Sequence, residues 1–257
     1  MAAEICASDN AFRKGQGFAA AGDYTNAAAS YKESVAADPN NIKARCGHGM
    51  ALQRLGRHTE AIADFTHVIE SFPSWSGAFV AYYGRAVSRH ALGKFAETIR
   101  DCSEALRRKS DYADVFYLRG IALEAAGDFA AATNDMDKVL AIDGCFTAAQ
   151  LVRGRLYVRQ RRWTQAISDL SAAVNRLAAE SQECRQAAYL RGIARQESGD
   201  HDAAIADFTL VITRDPTNAT ARLRRSRSLY ELGERSLAEL DLKYAGQIAN
   251  KDLSGES

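Results

Sequence analysis

The chain has 257 residues, with 33 Lys and Arg against 32 Asp and Glu and a formal charge of +1. That balance gives no reason to expect nucleic acid or an acidic membrane as partner, and no apolar run approaches the roughly 18 residues that span a bilayer. Five scattered cysteines, an odd number with no CxxC spacing, argue against a disulfide framework or a zinc site and fit a reducing compartment, by default the cytoplasm.

Residues 1–7, within MAAEICASDN, lack a basic stretch followed by an apolar one, so they read as a tail and not as a secretory signal. From residue 8 the chain reads as paired helices. Alanine is abundant and only three prolines interrupt it. In 8–41 the first helix is broken at Gly22 and the second stops at Pro39. The pattern returns in 42–75 with Gly56 and Pro73, in 79–112 with Gly93, and in 113–146 with Gly127. In 147–180 Arg161 stands at the glycine position; 185–218 restores Gly199 and Pro216, and 219–252 has Gly233. Ser110, Gly144, Ala178 and Asn250 replace the proline, which leaves those ends less marked. Only 76–78 and 181–184 break the register, and the helix before 181–184 is expected to run on through it. Residues 253–257 form a second tail.

Numbering each unit from 1 to 34 brings other positions into columns. Position 8 holds Gly15, Gly49, Ala86, Gly120, Gly154, Gly192 and Ser226; position 20 holds Ala27, Ala61, Thr98, Ala132, Ala166, Ala204 and Ala238. Position 24 is larger: Tyr31, Phe65, Cys102, Met136, Leu170, Phe208 and Leu242. Antiparallel helices approach closely only over small side chains, so positions 8 and 20 mark the crossing and position 24 fills the space beside it. Glycine at position 15 suits a left-handed cap, and proline at 32 stops the second helix. One such hairpin cannot bury its apolar face, but a stack of them can.

These columns resemble the tetratricopeptide repeat (TPR) family over nearly the whole chain. The resemblance implies an all-α fold, a right-handed superhelical solenoid of seven helix-turn-helix repeats with a concave groove.

A second pair of columns carries charge. Position 7 is Lys14, His48, Arg85, Arg119, Arg153, Arg191 and Arg225, while position 23 is Asp64, Asp101, Asp135, Asp169, Asp207 and Asp241 in all units but the first, which has Ser30. The two columns vary together, so they are expected to pair between helices within a unit or across to its neighbour. A phosphate-binding strip is the weaker reading.

In the family, positions 5 and 9 of the first helix lie in the groove. Carried over, they give an apolar and aromatic stretch at Met50, Tyr83, Val87, Tyr117 and Ile121, then Leu151, Arg155, Tyr189 and Ile193, with Arg159 and Arg227 adding to a basic end. Tyrosine beside aliphatic residues suits a peptide or helix of a protein partner. The family's carboxylate clamp for acidic chaperone tails needs lysine and asparagine where this chain has Phe12, Gln16, Gly47, Val80 and Gly84. A co-chaperone adaptor is therefore disfavoured. The basic run 151–163 divides among ladder, groove and turn, which argues against an RNA track.

Catalysis, metals and cofactors are not expected. The five histidines, His48, His58, His67, His90 and His201, share no metal-ligand spacing, and no HExxH, GxSxG or phosphate-loop motif occurs. The expected function is a non-enzymatic scaffold or adaptor. The rival is an architectural subunit held by repeat edges and end caps. The last helix carries Leu237, Leu240, Leu242, Tyr244, Ala245 and Ile248 around much of its circumference, so that end is expected to meet a partner or a second copy.

Overall fold

The computed structural model describes residues 2–254, with side chains over 5–249. The described residues form fourteen helices and no strand: α1 (Ala2–Ala20), α2 (Tyr24–Ala37), α3 (Ile42–Arg54), α4 (His58–Ser71), α5 (Ala78–Ala91), α6 (Phe95–Arg108), α7 (Ala113–Ala125), α8 (Phe129–Ile142), α9 (Thr147–Arg159), α10 (Trp163–Arg176), α11 (Gln182–Glu197), α12 (His201–Arg214), α13 (Ala219–Glu231) and α14 (Arg235–Ser254). Two compact units divide between Ala131 and Ala132. The first holds α1 to α7 and the first turn of α8; the second holds the rest.

Tight turns join the helices in pairs. Gly22, Gly56, Gly93, Gly127, Gly199 and Gly233 all have φ between 72° and 88°. In each turn the following amide donates to a carbonyl five residues back, as Asp23 to Phe18 and Glu234 to Leu229, both at 2.9 Å. This is the helix-ending bond that a left-handed residue permits. Arg161 makes the same turn at φ 57°, and the Arg162 amide reaches the Tyr157 carbonyl at 2.9 Å. A side chain in that region costs about 1–2 kcal/mol, partly offset by glycine's greater freedom when unfolded. Arg161→Gly is therefore expected to stabilise the second unit by about 0.5–1 kcal/mol, read as a rise in the urea midpoint.

Helix ends differ from the sequence reading in three places. The segment 2–7, read as a tail, belongs to α1, where Ser8 is buried and exchanges hydrogen bonds with Ser34 on α2. The segment 181–184 does not extend the helix before it. α10 ends at Arg176, Leu177 turns extended (φ −75°, ψ 148°), and Ser181 caps α11 by accepting from the Cys184 amide at 3.1 Å. At the other end α14 runs through Asn250 to Ser254, because no proline stops it; residues 255–257 of the expected tail lie outside the described residues. Elsewhere proline proves unnecessary, since α6 stops at Lys109 with extended backbone much as α2 stops at Asp38.

The crossing columns pack as their sizes require. Every position-20 residue is buried, from Ala27 at 0% to Ala238 at 2% exposure. In four hairpins the position-24 side chain lies on the position-8 glycine, at Gly15, Gly49, Gly154 and Gly192: a β-carbon on Gly15 would meet the Tyr31 ring at 2.7 Å, and one on Gly192 the Phe208 ring at 2.8 Å. Leu242, expected in the same role on α14, is instead 50% exposed. A second contact was not legible as a column. Tyr31 and Phe65 also press on Gly47 and Gly84, at position 6 of the next unit, so each ring is held between two glycine-bearing helices.

The charge ladder pairs within hairpins. Arg85 makes a two-pronged contact with Asp101 (2.8 and 2.9 Å), as do Arg153 with Asp169 (2.6 and 2.8 Å) and Arg225 with Asp241 (both 2.7 Å); His48 meets Asp64 at 2.6 Å. The same arginines reach back to position 25 of the preceding unit: Arg85 to Thr66, Arg119 to Ser103, Arg153 to Asp137, Arg191 to Ser171 and Arg225 to Thr209, at 2.7–3.3 Å. One planar guanidinium thus ties three helices, which a point charge on lysine would do less well.

Candidate functional site: the groove of the first helices

In the first unit, the first helices of successive hairpins enclose an open cavity of about 620 Å³. Three residues of the expected stripe line it: Met50 on α3, and Tyr83 and Val87 on α5. Tyr24, Tyr31 and Arg54 also line it, and sequence columns did not point to them. Met50 is 43% exposed, an unbranched apolar side chain open to a ligand. Tyr83 is half-buried, its ring edge-on to Tyr112 at 5.8 Å. Burial, and secondarily the nearby Asp114, push its hydroxyl up to about 12, so it stays a neutral donor over the physiological range. Arg54 lies over the Tyr24 ring at 5.8 Å and supplies a cation at the mouth. Deeper in the same hairpin, the Cys46 thiol is pushed up to about 12 by burial, then by Asp64, against a smaller opposing effect of Arg45. That thiol is unsuited to act as a nucleophile.

Helical spacing explains why these groups converge. Positions 5 and 9 share one face of a helix. The position-6 glycines Gly47 and Gly84 admit the Tyr31 and Phe65 rings of the preceding second helices. Tyr117 and Ile121 lie on α7, both half-buried, outside the cavity lining.

Position 12, which the sequence reading did not single out, makes a structural link in two hairpins. The Gln53 amide donates to the Gly84 carbonyl (2.6 Å) and the buried Ser88 hydroxyl (2.9 Å). Gln196 does the same to Arg224 and Ser228, both at 2.7 Å. These amides staple adjacent first helices and are not available to a ligand.

The second unit carries the rest of the stripe. Leu151 is a correction: it is 7% exposed and packs in the core with Leu170 and Tyr157, so it leaves the partner-binding set. Tyr189 is half-buried, with its ring 5.9 Å from Phe208, and lines a smaller cavity of about 340 Å³ whose other walls include Arg185, Asp215 and Asn218. Ile193 is half-buried on α11. Arg155 is half-buried and Arg159 exposed, both on α9. Arg227 is exposed but meets Glu197 at 3.2 Å, and Glu197 also takes Arg224 at 3.1 Å. The basic end is thus partly neutralised by an acid at position 13, which column reading over positions 5 and 9 passed over.

Among the described residues no helix is long and apolar enough to cross a membrane.

The fold and its repeated glycine turns define a helical-repeat protein, and comparison with known proteins gives the family. A profile described as Tetratricopeptide repeat matches residues 46–113, 151–219 and 189–249, and the chain belongs to that family. DnaJ homolog subfamily C member 3 of Gallus gallus is 28% identical over 201 residues, which cover 74% of this chain and 39% of the relative. The chain therefore spans well under two thirds of that relative's length. Among solved structures, a tetratricopeptide repeat protein of Parabacteroides merdae aligns with a TM-score of 0.63 at 20% identity, over 97% of this chain and 96% of that one. YrrB, a TPR protein with an unusual peptide-binding site, aligns with a TM-score of 0.64 at 21% identity, over 72% of this chain and 91% of that one. At these identities the structures show a shared fold.

Proposed function

We propose that this chain is a non-enzymatic scaffold or adaptor that grips an extended peptide or a helix of a protein partner in the groove of its first helices. The observation that carries the reading is the open apolar cavity at Met50, Tyr83 and Val87, with a tyrosine hydroxyl and an arginine at its edge. Such a lining buries ligand area while keeping polar tips for orientation. The peptide-binding site named for YrrB is consistent with this use of the fold. The odd number of cysteines without CxxC spacing supports a reducing compartment, and the cytoplasm is the localisation proposed.

A positional-scanning library of blocked peptides of about ten residues, read by fluorescence polarisation, tests the reading. Met50→Asp and Tyr83→Ala are expected to weaken selected peptides on the order of tenfold or more. Circular dichroism should stay unchanged for Met50→Asp, because that side chain is exposed. Selected peptides that bind both variants as well as the parent would sink the groove reading.

A second reading, an architectural subunit held by its edges and end faces, is favoured by the exposed apolar side chains of α14. Groove variants would leave such an assembly intact. A co-chaperone adaptor stays disfavoured, since the clamp positions hold Phe12, Gln16, Gly47, Val80 and Gly84 in place of its lysines, asparagines and arginine.

A further inference from the structure

In the hairpins that a further repeat follows, position 22 of the second helix is exposed throughout, and positions 19 and 26 are exposed or half-buried, with Leu210 at position 26 of α12 half-buried. On α2 they are Asn26, Ala29 and Glu33, and on α4 they are Glu60, Ala63 and His67, all exposed. On α14 the same positions are Leu237, Leu240 and Tyr244, which are 51%, 46% and 46% exposed. None of these positions is buried where a further repeat follows, and position 22 stays exposed throughout, so an added repeat would leave at least Leu240 open. The adjacent face of α14 is already used: Ala238, Asp241 and Ala245 are 2–3% exposed.

The spacing i, i+3, i+7 sets the three apolar residues in one row along the helix. The row is held in place. The Arg222 guanidinium lies 5.2 Å from the centre of the Tyr244 ring, and Arg222 is itself fixed by Asp241 at 3.5 Å and by the Pro216 carbonyl at 3.1 Å. Along the outer flank, Glu239 and Lys243 are exposed and take no part in the ion pairs of the described residues.

We infer that this stripe is a self-association surface on which α14 packs antiparallel to α14 of a second copy. Charge and apolar pattern together select that occupant. A twofold axis level with the step between Leu240 and Asp241 sets Leu237 of one copy level with Tyr244 of the other and brings the two Leu240 side chains within one residue's rise, ~1.5 Å, of each other along the helix. It also brings Glu239 of each copy within the same rise of Lys243 of the other, so the opposite charges meet twice. A twofold interface needs a surface complementary to itself, and this one is.

The inference is independent of the groove and is tested by sedimentation velocity of the 257-residue chain. Concentrations from about 5 to 500 µM bracket the range expected of an interface below ~1,200 Å². The parent is expected to shift from monomer to dimer, and Leu240→Glu is expected to weaken dimerisation about tenfold or more, by setting two carboxylates against each other beside the axis. Glu239→Lys and Lys243→Glu each create two like-charge contacts and should each weaken the dimer. Mixed in equal amounts, they should associate at least as tightly as the parent, because every cross-pair is then opposite in sign. These two changes lie on exposed positions, so they keep the test sound if Leu240→Glu disturbs folding. A parent that stays monomeric throughout, charge variants that dimerise like the parent, or a mixture no tighter than either variant alone overturns the inference.

Discussion

Arg153→Ala is expected to destabilise the second unit by about 2–4 kcal/mol, since it strands a buried carboxylate. Asp169 is 7% exposed, and its two oxygens take the Arg153 guanidinium at 2.6 and 2.8 Å. The bond to Asp169 is also the main reason the Arg153 pKa is raised. Asp101 and Asp207, by contrast, each keep a second arginine, Arg89 at 2.7 Å and Arg195 at 2.9 Å, so Arg85→Ala and Arg191→Ala should cost less. Replacing the pair together, as Arg153→Met with Asp169→Leu, should recover most of the loss, because the desolvation of both charges disappears along with their attraction. Urea unfolding of the two single variants and the double variant closes the cycle. Single variants within about 0.5 kcal/mol of the parent would refute the ladder as a buried, geometry-fixing device. The exposed Arg57–Glu60 pair is the control, and Arg57→Ala should leave the urea midpoint where it is.

Two glycine-to-alanine changes on first helices are expected to move stability in opposite directions. A β-carbon on Gly84 would lie 2.5 Å from Cζ of Phe65, a ring with no exposed surface that already touches Gly49 on its other side. The ring cannot retreat, so Gly84→Ala should cost about 1–3 kcal/mol, despite the gain of about 1 kcal/mol in helix propensity. Gly17 on α1 has nothing within 4 Å of the same added atom, so Gly17→Ala should stabilise by up to about 1 kcal/mol. Phe65→Leu should reduce the cost of Gly84→Ala by removing the clashing ring edge. Thermal melts of the four variants check the pattern. An equal rise in both glycine variants would show that Phe65 is not clamped.

How far each feature could be read from sequence follows from the range of the interactions that set it. The glycine at position 15 is a local backbone requirement, and it located all seven turns, including the one at Arg161, where the backbone takes the left-handed form without glycine. The alanine column and the Asp column are short-range in the same sense, because they join two helices of one hairpin a fixed 16 residues apart for the charges. Helix ends at Ser181 and Ala2 were misplaced because capping and fraying depend on one or two side chains that no column records.

The groove was only partly legible. Helical phase put Met50, Tyr83 and Val87 on one face, and those residues line the cavity. Phase alone could not show that Leu151, with the same register, turns into the core. That outcome is set by the core contacts Leu151 makes with Leu170 and Tyr157. Nor did the columns show that Gln53 and Gln196 join adjacent first helices, because that link depends on Ser88 and Ser228 of the next unit lying within reach.

The sequence by itself determined the hairpin, its turn and its internal ion pairs, because each is a contact at a fixed separation along one chain segment. Only the tertiary structure decided which side chains of the stripe stay open, which arginines reach back to position 25, and which face of α14 is left apolar toward solvent. Those outcomes depend on the distance between successive hairpins, set by the bulk of side chains that touch across units and are recorded in no single repeat.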